Sequence, residues 1–114
     1  MPLLNLSFIK ENVSDEPEFI AELLSLFKSD LIKDYEALNN AIEEGNFERI
    51  RTDAHKVKSG LRSLGVESCW TKLQIIEDLG KAAADLDQIR ALNADIIPQI
   101  PVLLSEVDEC MNSY

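Results

Sequence analysis

The sequence predicts an all-α protein, an up-down antiparallel four-helix bundle with an additional short N-terminal helix. Three observations carry this reading. Apolar residues recur every three or four positions through long segments, no run alternates with the period of two that marks a half-buried strand, and short breaker clusters separate the segments. Short connections between long amphipathic helices favour antiparallel neighbours. At 114 residues, with no internal repeat and no linker, the chain is expected to be a single helical domain spanning 1–114 with one core.

Each helix has its own justification. Residues 4–13 place Leu4, Phe8, Ile9 and Val13 on one side, a short entry helix that caps an end of the bundle. Asp15 and Glu18 have capping-box spacing and Pro17 suits a first turn. From there Ile20, Leu23, Leu24, Phe27, Leu31, Leu38 and Ile42 form one stripe of a long helix that stops at Gly45 and Asn46. A third helix carries Phe47, Ile50, Ala54, Val57, Leu61 and Leu64, with Gly65 where a left-handed C-cap belongs. A fourth uses Cys69, Leu73, Ile76 and Leu79 and ends near Gly80 or the Ala82, Ala83, Ala84 run. Asp85 and Gln88 open the last helix, with Ile89, Leu92 and Ile96 along it; Pro98 and Pro101 must each kink or divide it before Val102, Leu103 and Val107 continue the stripe.

Composition narrows the function classes. The formal net charge is −10, from 11 basic against 21 acidic residues, which disfavours direct binding to nucleic acid or an anionic membrane surface. No apolar run approaches the roughly twenty residues needed to cross a bilayer, and the first four residues lack the basic start of a signal peptide, so a cytoplasmic location is expected. Cys69 and Cys110 have no CxxC spacing and the single histidine is distant from both, so they read as two free thiols. A di-metal bundle enzyme needs paired Glu-x-x-His motifs, which one histidine cannot supply.

That histidine lies on a basic face. At about 100° per residue, His55 sits roughly 130° from the centre of the third helix's apolar stripe and should meet solvent. Arg51, Lys58 and Arg62 fall within about 60° of it, with Ser59 and Thr52 on its other flank, and Asp53 is the one acid between Arg49 and Arg62. An exposed neutral imidazole is a nucleophile, and cations one turn away offset charge arriving on a phosphoryl group. By composition alone, a solvated helix face is the favoured explanation of the cluster.

The surrounding residues are more specific. Ala54-His55-Lys56-Val57-Lys58-Ser59-Gly60, followed by Leu64-Gly65, resembles the signature of histidine-containing phosphotransfer (HPt) domains, Ala-His-x-Leu-Lys-Gly with small residues and then Leu-Gly. Asp15-Glu16-Pro17-Glu18-Phe19-Ile20 leading to Leu26-Phe27, and Ile76-Glu77, are similar to the family's flanking helices, so the likeness covers most of the chain. The resemblance implies that His55 is phosphorylated, that Lys58 meets the phosphoryl oxygens and that Gly65 ends the active-site helix. It departs from the pattern at Ser59, where Gly is usual, with Gly60 displaced by one and Leu61 where a small residue is common. Ser59 either crowds an incoming partner or offers its hydroxyl to the phosphoryl group.

Geometry adds Glu77. If the third and fourth helices turn near Val66, His55 and Glu77 are each eleven residues from the turn and reach similar height. A carboxylate taking the Nδ1 proton leaves Nε2 to attack. The alternative, in which Glu77 pairs with Lys81 or faces water, is equally open on the sequence.

The expected function is that of a phosphorelay intermediate in two-component signal transduction: His55 accepts a phosphoryl group from one receiver aspartate and passes it to another. With no glycine-rich phosphate loop, the chain is expected to be a phosphohistidine carrier without ATP-dependent kinase activity of its own. The resemblance implies response-regulator receiver domains and a hybrid sensor kinase as partners, Mg²⁺ supplied by the receiver and no cofactor of its own; a monomer is expected. Arg51, Lys58, Ser59 and Arg62, with Lys72 and Gln74, are docking candidates, and Val66, Trp70, Leu4 and Phe8 are candidate apolar contacts. The competing reading is a non-catalytic helical adaptor that kept the bundle and lost transfer.

Overall fold

A computed structural model describes residues 3–112; Met1 and Pro2, on which the reading against a signal peptide partly rests, lie outside them. Six helical segments follow in order: α1 (Leu6–Asn12), α2 (Pro17–Glu44), α3 (Phe47–Ser63), α4 (Glu67–Ala82), α5 (Leu86–Ile96) and α6 (Gln99–Asn112). Helix α2 packs on α3, α3 on α4 and α4 on α5, while α6 returns to α2 and closes the ring. Segments α5 and α6 together form the fourth leg of an up-down bundle, and the sequence-based architecture stands. The 28 residues of α2 span about 42 Å at 1.5 Å each, which accounts for the 43 Å long axis of a molecule only 23 by 22 Å across.

The core follows the sequence stripes. Ile20, Leu24, Leu38, Ile50, Leu61, Leu73, Ile76, Ile89 and Leu103 are all fully buried in a single cluster. Among the described residues two polar side chains are buried with them, Lys58 and Asn93. Asn93 is satisfied by Tyr35 Oη, which donates to its Oδ1 at 2.7 Å, and by donating to Asn39 Oδ1 at 2.7 Å. Burial, the neighbouring Cys69 and, in the opposite sense, Asn39 together hold the Tyr35 phenol well above its usual range.

Three local expectations are corrected. The Asp15–Glu18 capping box does not form: the N-cap is Glu16, without a side-chain cap, because Pro17 at the first helical position forces its predecessor into extended backbone. Val13 is exposed, since α1 ends at Asn12. Pro98 divides the last helix, but Pro101 lies in the first turn of α6, where a backbone N–H has no intrahelical acceptor, and costs that helix nothing. Of the two ends expected for α4, the helix takes the later: it runs through Gly80 to Ala82 and closes on left-handed Ala83.

Gly45 and Gly65 both adopt positive φ, at 69° and 72°, as their places after α2 and α3 require. Gly65 has a second constraint: a Cβ there would meet the Phe8 ring of α1 at 2.9 Å. Helix α1 is anchored over this end of the bundle by buried Ile9 and by the Glu106 carboxylate, which accepts from the backbone N–H groups of Leu3 and Leu4 at 3.1 Å each. Gly65→Ala is therefore expected to destabilise the protein by about 1–2 kcal/mol from backbone strain alone, with more from displacing Phe8. A Cβ at Gly60, in mid-helix, would touch Phe27 at an ordinary 3.7 Å, so Gly60→Ala should be neutral or stabilising by up to about 1 kcal/mol. Urea unfolding midpoints of the two variants read this contrast directly.

Candidate functional site

The site is built where α3 and α4 come closest, and Gly80 is the reason they can. A Cβ at this position would stand 3.0 Å from the backbone nitrogen of Arg51 and 3.2 Å from both Ile50 Cγ2 and the Phe47 carbonyl oxygen. With hydrogen in its place, α4 lies directly on the first turns of α3. His55 is one turn beyond Arg51, and Glu77 is three residues before Gly80 on the same face of α4. The close contact thus brings a carboxylate to the height of the imidazole.

His55 projects outward, with 61% of its side chain exposed, while Glu77 is 19% exposed and Lys58 9%. Glu77 Oε1 accepts from His55 Nδ1 at 3.0 Å and from Lys58 Nζ at 2.9 Å. A carboxylate in this role only accepts, so the proton sits on Nδ1 and the lone pair of the neutral ring on Nε2. Partial burial pushes the Glu77 carboxyl up, but the hydrogen bonds from Lys58 and His55 and the adjacent positive charge of Lys58 outweigh it and hold the group below the usual carboxylate range. Of the two placements open on the sequence, Glu77 takes the one against His55. Lys58 also donates to Gln74 Oε1 at 2.9 Å, and Gln74 Nε2 donates to Asp78 Oδ1 at 3.0 Å.

The basic face is reorganised by these neighbours. Lys58 is buried against α4 rather than standing on an open docking surface, because a carboxylate and an amide draw its ammonium inward. Arg62 is exposed, and its guanidinium lies 5.4 Å from the centre of the Trp70 ring, a cation–π contact. Arg49 pairs with Glu44 at 2.7 Å. Arg51, Lys56 and Ser59 remain exposed around His55. Among the apolar contact candidates, Val66 and Leu4 are buried, and Phe8 and Trp70 are half-buried packing residues, so none of the four presents an open apolar surface. Lys72 is partly buried, its amine 4.0 Å from Asp95.

Sequence reasoning passed over Asp78 and Gly80. Their signals were present: Gln74 and Asp78 are one turn apart, and a glycine three residues after a site carboxylate marks a close helix crossing. Among the described residues no three His, Cys, Asp or Glu side chains gather into a group able to hold a metal ion, and no helix is long and apolar enough to cross a membrane.

With this geometry in view, the comparison with protein families is specific. The Hpt domain model matches residues 22–110, most of the chain and all of the site. The chain belongs to the Hpt domain family, whose members carry out histidine phosphotransfer in two-component phosphorelays and interact with receiver domains and kinases. Neither the curated proteins nor the solved structures yield a match.

Two measurements check the site. Glu77→Ala should remove the acceptor that selects the Nδ1–H tautomer, and ¹⁵N NMR of the imidazole should then show the Nε2–H form gaining. Because the folded-state pKa of Glu77 is lowered, its contribution to stability is fully present above its unfolded-state value and is lost as pH falls through the lower folded value. Acidification from neutrality through the carboxylate range should therefore destabilise the parent more steeply than Glu77→Gln. Gly80→Ala should cost about 1–3 kcal/mol through overpacking and weaken the His55–Glu77 contact, seen as a shift of the same tautomer signals.

Proposed function

We propose that His55 is the phosphoryl carrier of a phosphorelay, taking the group from the aspartyl phosphate of one receiver domain and passing it to the aspartate of another. The observation that carries this reading is an exposed imidazole whose Nδ1 proton is committed to Glu77, with the Lys58 ammonium on the same carboxylate oxygen. Attack by the Nε2 lone pair forms the N–P bond as the P–O bond to the aspartyl carboxyl breaks, and the receiver aspartate departs as carboxylate. The Nδ1 proton stays in place. As the ring donates its electron pair it acquires positive charge, which the Glu77 carboxylate stabilises, while Lys58 offsets negative charge on the phosphoryl oxygens.

In this proposal the receiver supplies the Mg²⁺ and the phosphoryl donor, and this chain, acting as a monomer, supplies positioning and charge. Receiver docking is supported by a groove of about 270 Å³ between α2 and α3, lined in part by exposed Leu26, with Phe27, Asp30, Gly60 and Lys56, the residue next to His55. An apolar rim flanked by charges of both signs suits a protein partner. Ser59, exposed one turn after His55, borders the path of the incoming group.

The test uses receivers charged by a small acyl phosphate in the presence of Mg²⁺. The parent chain should acquire an acid-labile, base-stable label, and His55→Gln should acquire none. Equal labelling of His55→Gln places the phosphoryl group elsewhere. Receiver binding without labelling of the parent identifies the chain as an adaptor. Leu26→Asp should weaken receiver binding about tenfold or more, measured by titration calorimetry.

A further inference from the structure

We infer that Gln74, held by Asp78, is a positioning residue for phosphotransfer: it fixes the Lys58 ammonium beside His55 through a neutral acceptor. The inference rests on the phosphotransfer reading and extends it to a pair of α4 residues outside the His-Lys signature.

Lys58 is nine-tenths buried, and an ammonium taken from water must have its donors satisfied. Two of its three N–H groups are directed at Glu77 Oε1 and Gln74 Oε1, each at 2.9 Å. Because His55 Nδ1 reaches the same Glu77 oxygen at 3.0 Å, Nδ1 and Nζ are no farther apart than 3.0 and 2.9 Å placed end to end. The third N–H is what Lys58 can offer an oxygen arriving at His55.

The orientation of Gln74 is determined by its two partners. Lysine only donates and ionised aspartate only accepts, so the amide oxygen faces Lys58 and the NH₂ faces Asp78 Oδ1 at 3.0 Å. Asp78 is exposed and one turn from Gln74 along α4, which makes it an anchor for the amide rather than a contact of the reacting group. The division of labour between the two acceptors of Lys58 is electrostatic. Glu77 stabilises the ring charge, but its own charge repels a phosphoryl dianion. A second carboxylate at Gln74 would hold Lys58 equally well and add to that repulsion, whereas an amide holds the ammonium without a further negative charge.

The experiment measures phosphoryl uptake from an acyl-phosphate-charged receiver by the full chain, together with the rate of reductive methylation of the Lys58 amine. Gln74→Ala should lower the transfer rate constant about tenfold, measured at saturating receiver, and should speed Lys58 methylation. Asp78→Ala should change both readouts in the same direction by a smaller factor, and Asp78→Asn, which keeps an acceptor, should recover most of the loss. Gln74→Glu should keep Lys58 protected and still slow transfer. Circular dichroism establishes that each variant folds, and the exposed Asp78 provides the second route if Gln74→Ala does not. Parent-like transfer in folded Gln74→Ala, or in folded Asp78→Ala if that variant must stand in, overturns the inference, as does unchanged Lys58 protection. A parent chain that takes no label overturns the phosphotransfer reading itself, an outcome distinguished by its presence before any α4 substitution.

Discussion

The distance between α3 and α4 is the constraint on which the site depends. Backbone meets backbone at Gly80, where even a methyl group would stand 3.0 Å from the Arg51 nitrogen, and this contact sets how far a short acidic side chain must reach to meet His55. A wider crossing would leave the carboxylate in water and the imidazole free to populate either tautomer. At the observed separation Glu77 bridges the two helices and Lys58 crosses in the opposite sense, so two side chains from α3 and two from α4 form one hydrogen-bonded set. The residues around it are fixed by ordinary core packing: Ile50, Ala54, Val57 and Leu61 face inward on α3, and Cys69, Leu73 and Ile76 on α4.

In the proposed role of phosphoryl carrier, this arrangement would separate two demands. The ring must be accessible to a protein partner, and its proton must be held in one place. Exposure is provided by the position of His55 outside the apolar stripe; proton placement is provided from below by a carboxylate that is itself mostly covered. The coverage is consequential, because a hydrogen bond from a charged pair in a partly desolvated setting is stronger than the same pair in open water. The lowered pKa of Glu77 has the same origin: two donors stabilise its charged form by more than burial penalises it.

The bundle was legible in the sequence because its information is periodic. The stripe from Ile20 to Ile42, the glycines after α2 and α3, the Asp85 cap and the break at Pro98 each act within one or two turns of chain, and a local pattern suffices to read them. Asp15 misled because its capping spacing competed with the backbone restriction that Pro17 places on Glu16, and the restriction prevails. The site was legible in part. His55 announced itself by lying off the stripe and by its resemblance to a known signature, and Glu77 by counting from the turn. Lys58 did not announce its burial, since a helical wheel shows one helix at a time and its acceptors lie on another. Gly80 looked like punctuation for the same reason: the atoms that need its missing side chain belong to α3.

The net charge of −10 acquires a different meaning once the neighbours of each cation are known. On the wheel, α3 carries a basic island opposed by Asp53 alone. In the folded protein Lys58 is balanced by Glu77 and Arg49 by Glu44, leaving Arg51 and Lys56 beside His55 and Arg62, over Trp70, as the cations of this stretch without a paired carboxylate. A strongly cationic patch would attract any polyanion. On the proposed function, a buried lysine that meets a phosphoryl group only when that group is seated on the imidazole would confine its attraction to the reacting position, and would leave recognition of the partner to the apolar residues and mixed charges of the α2–α3 face. In that proposal, selectivity for a protein-borne phosphoryl group over free anions follows from where the charge is kept rather than from how much of it there is.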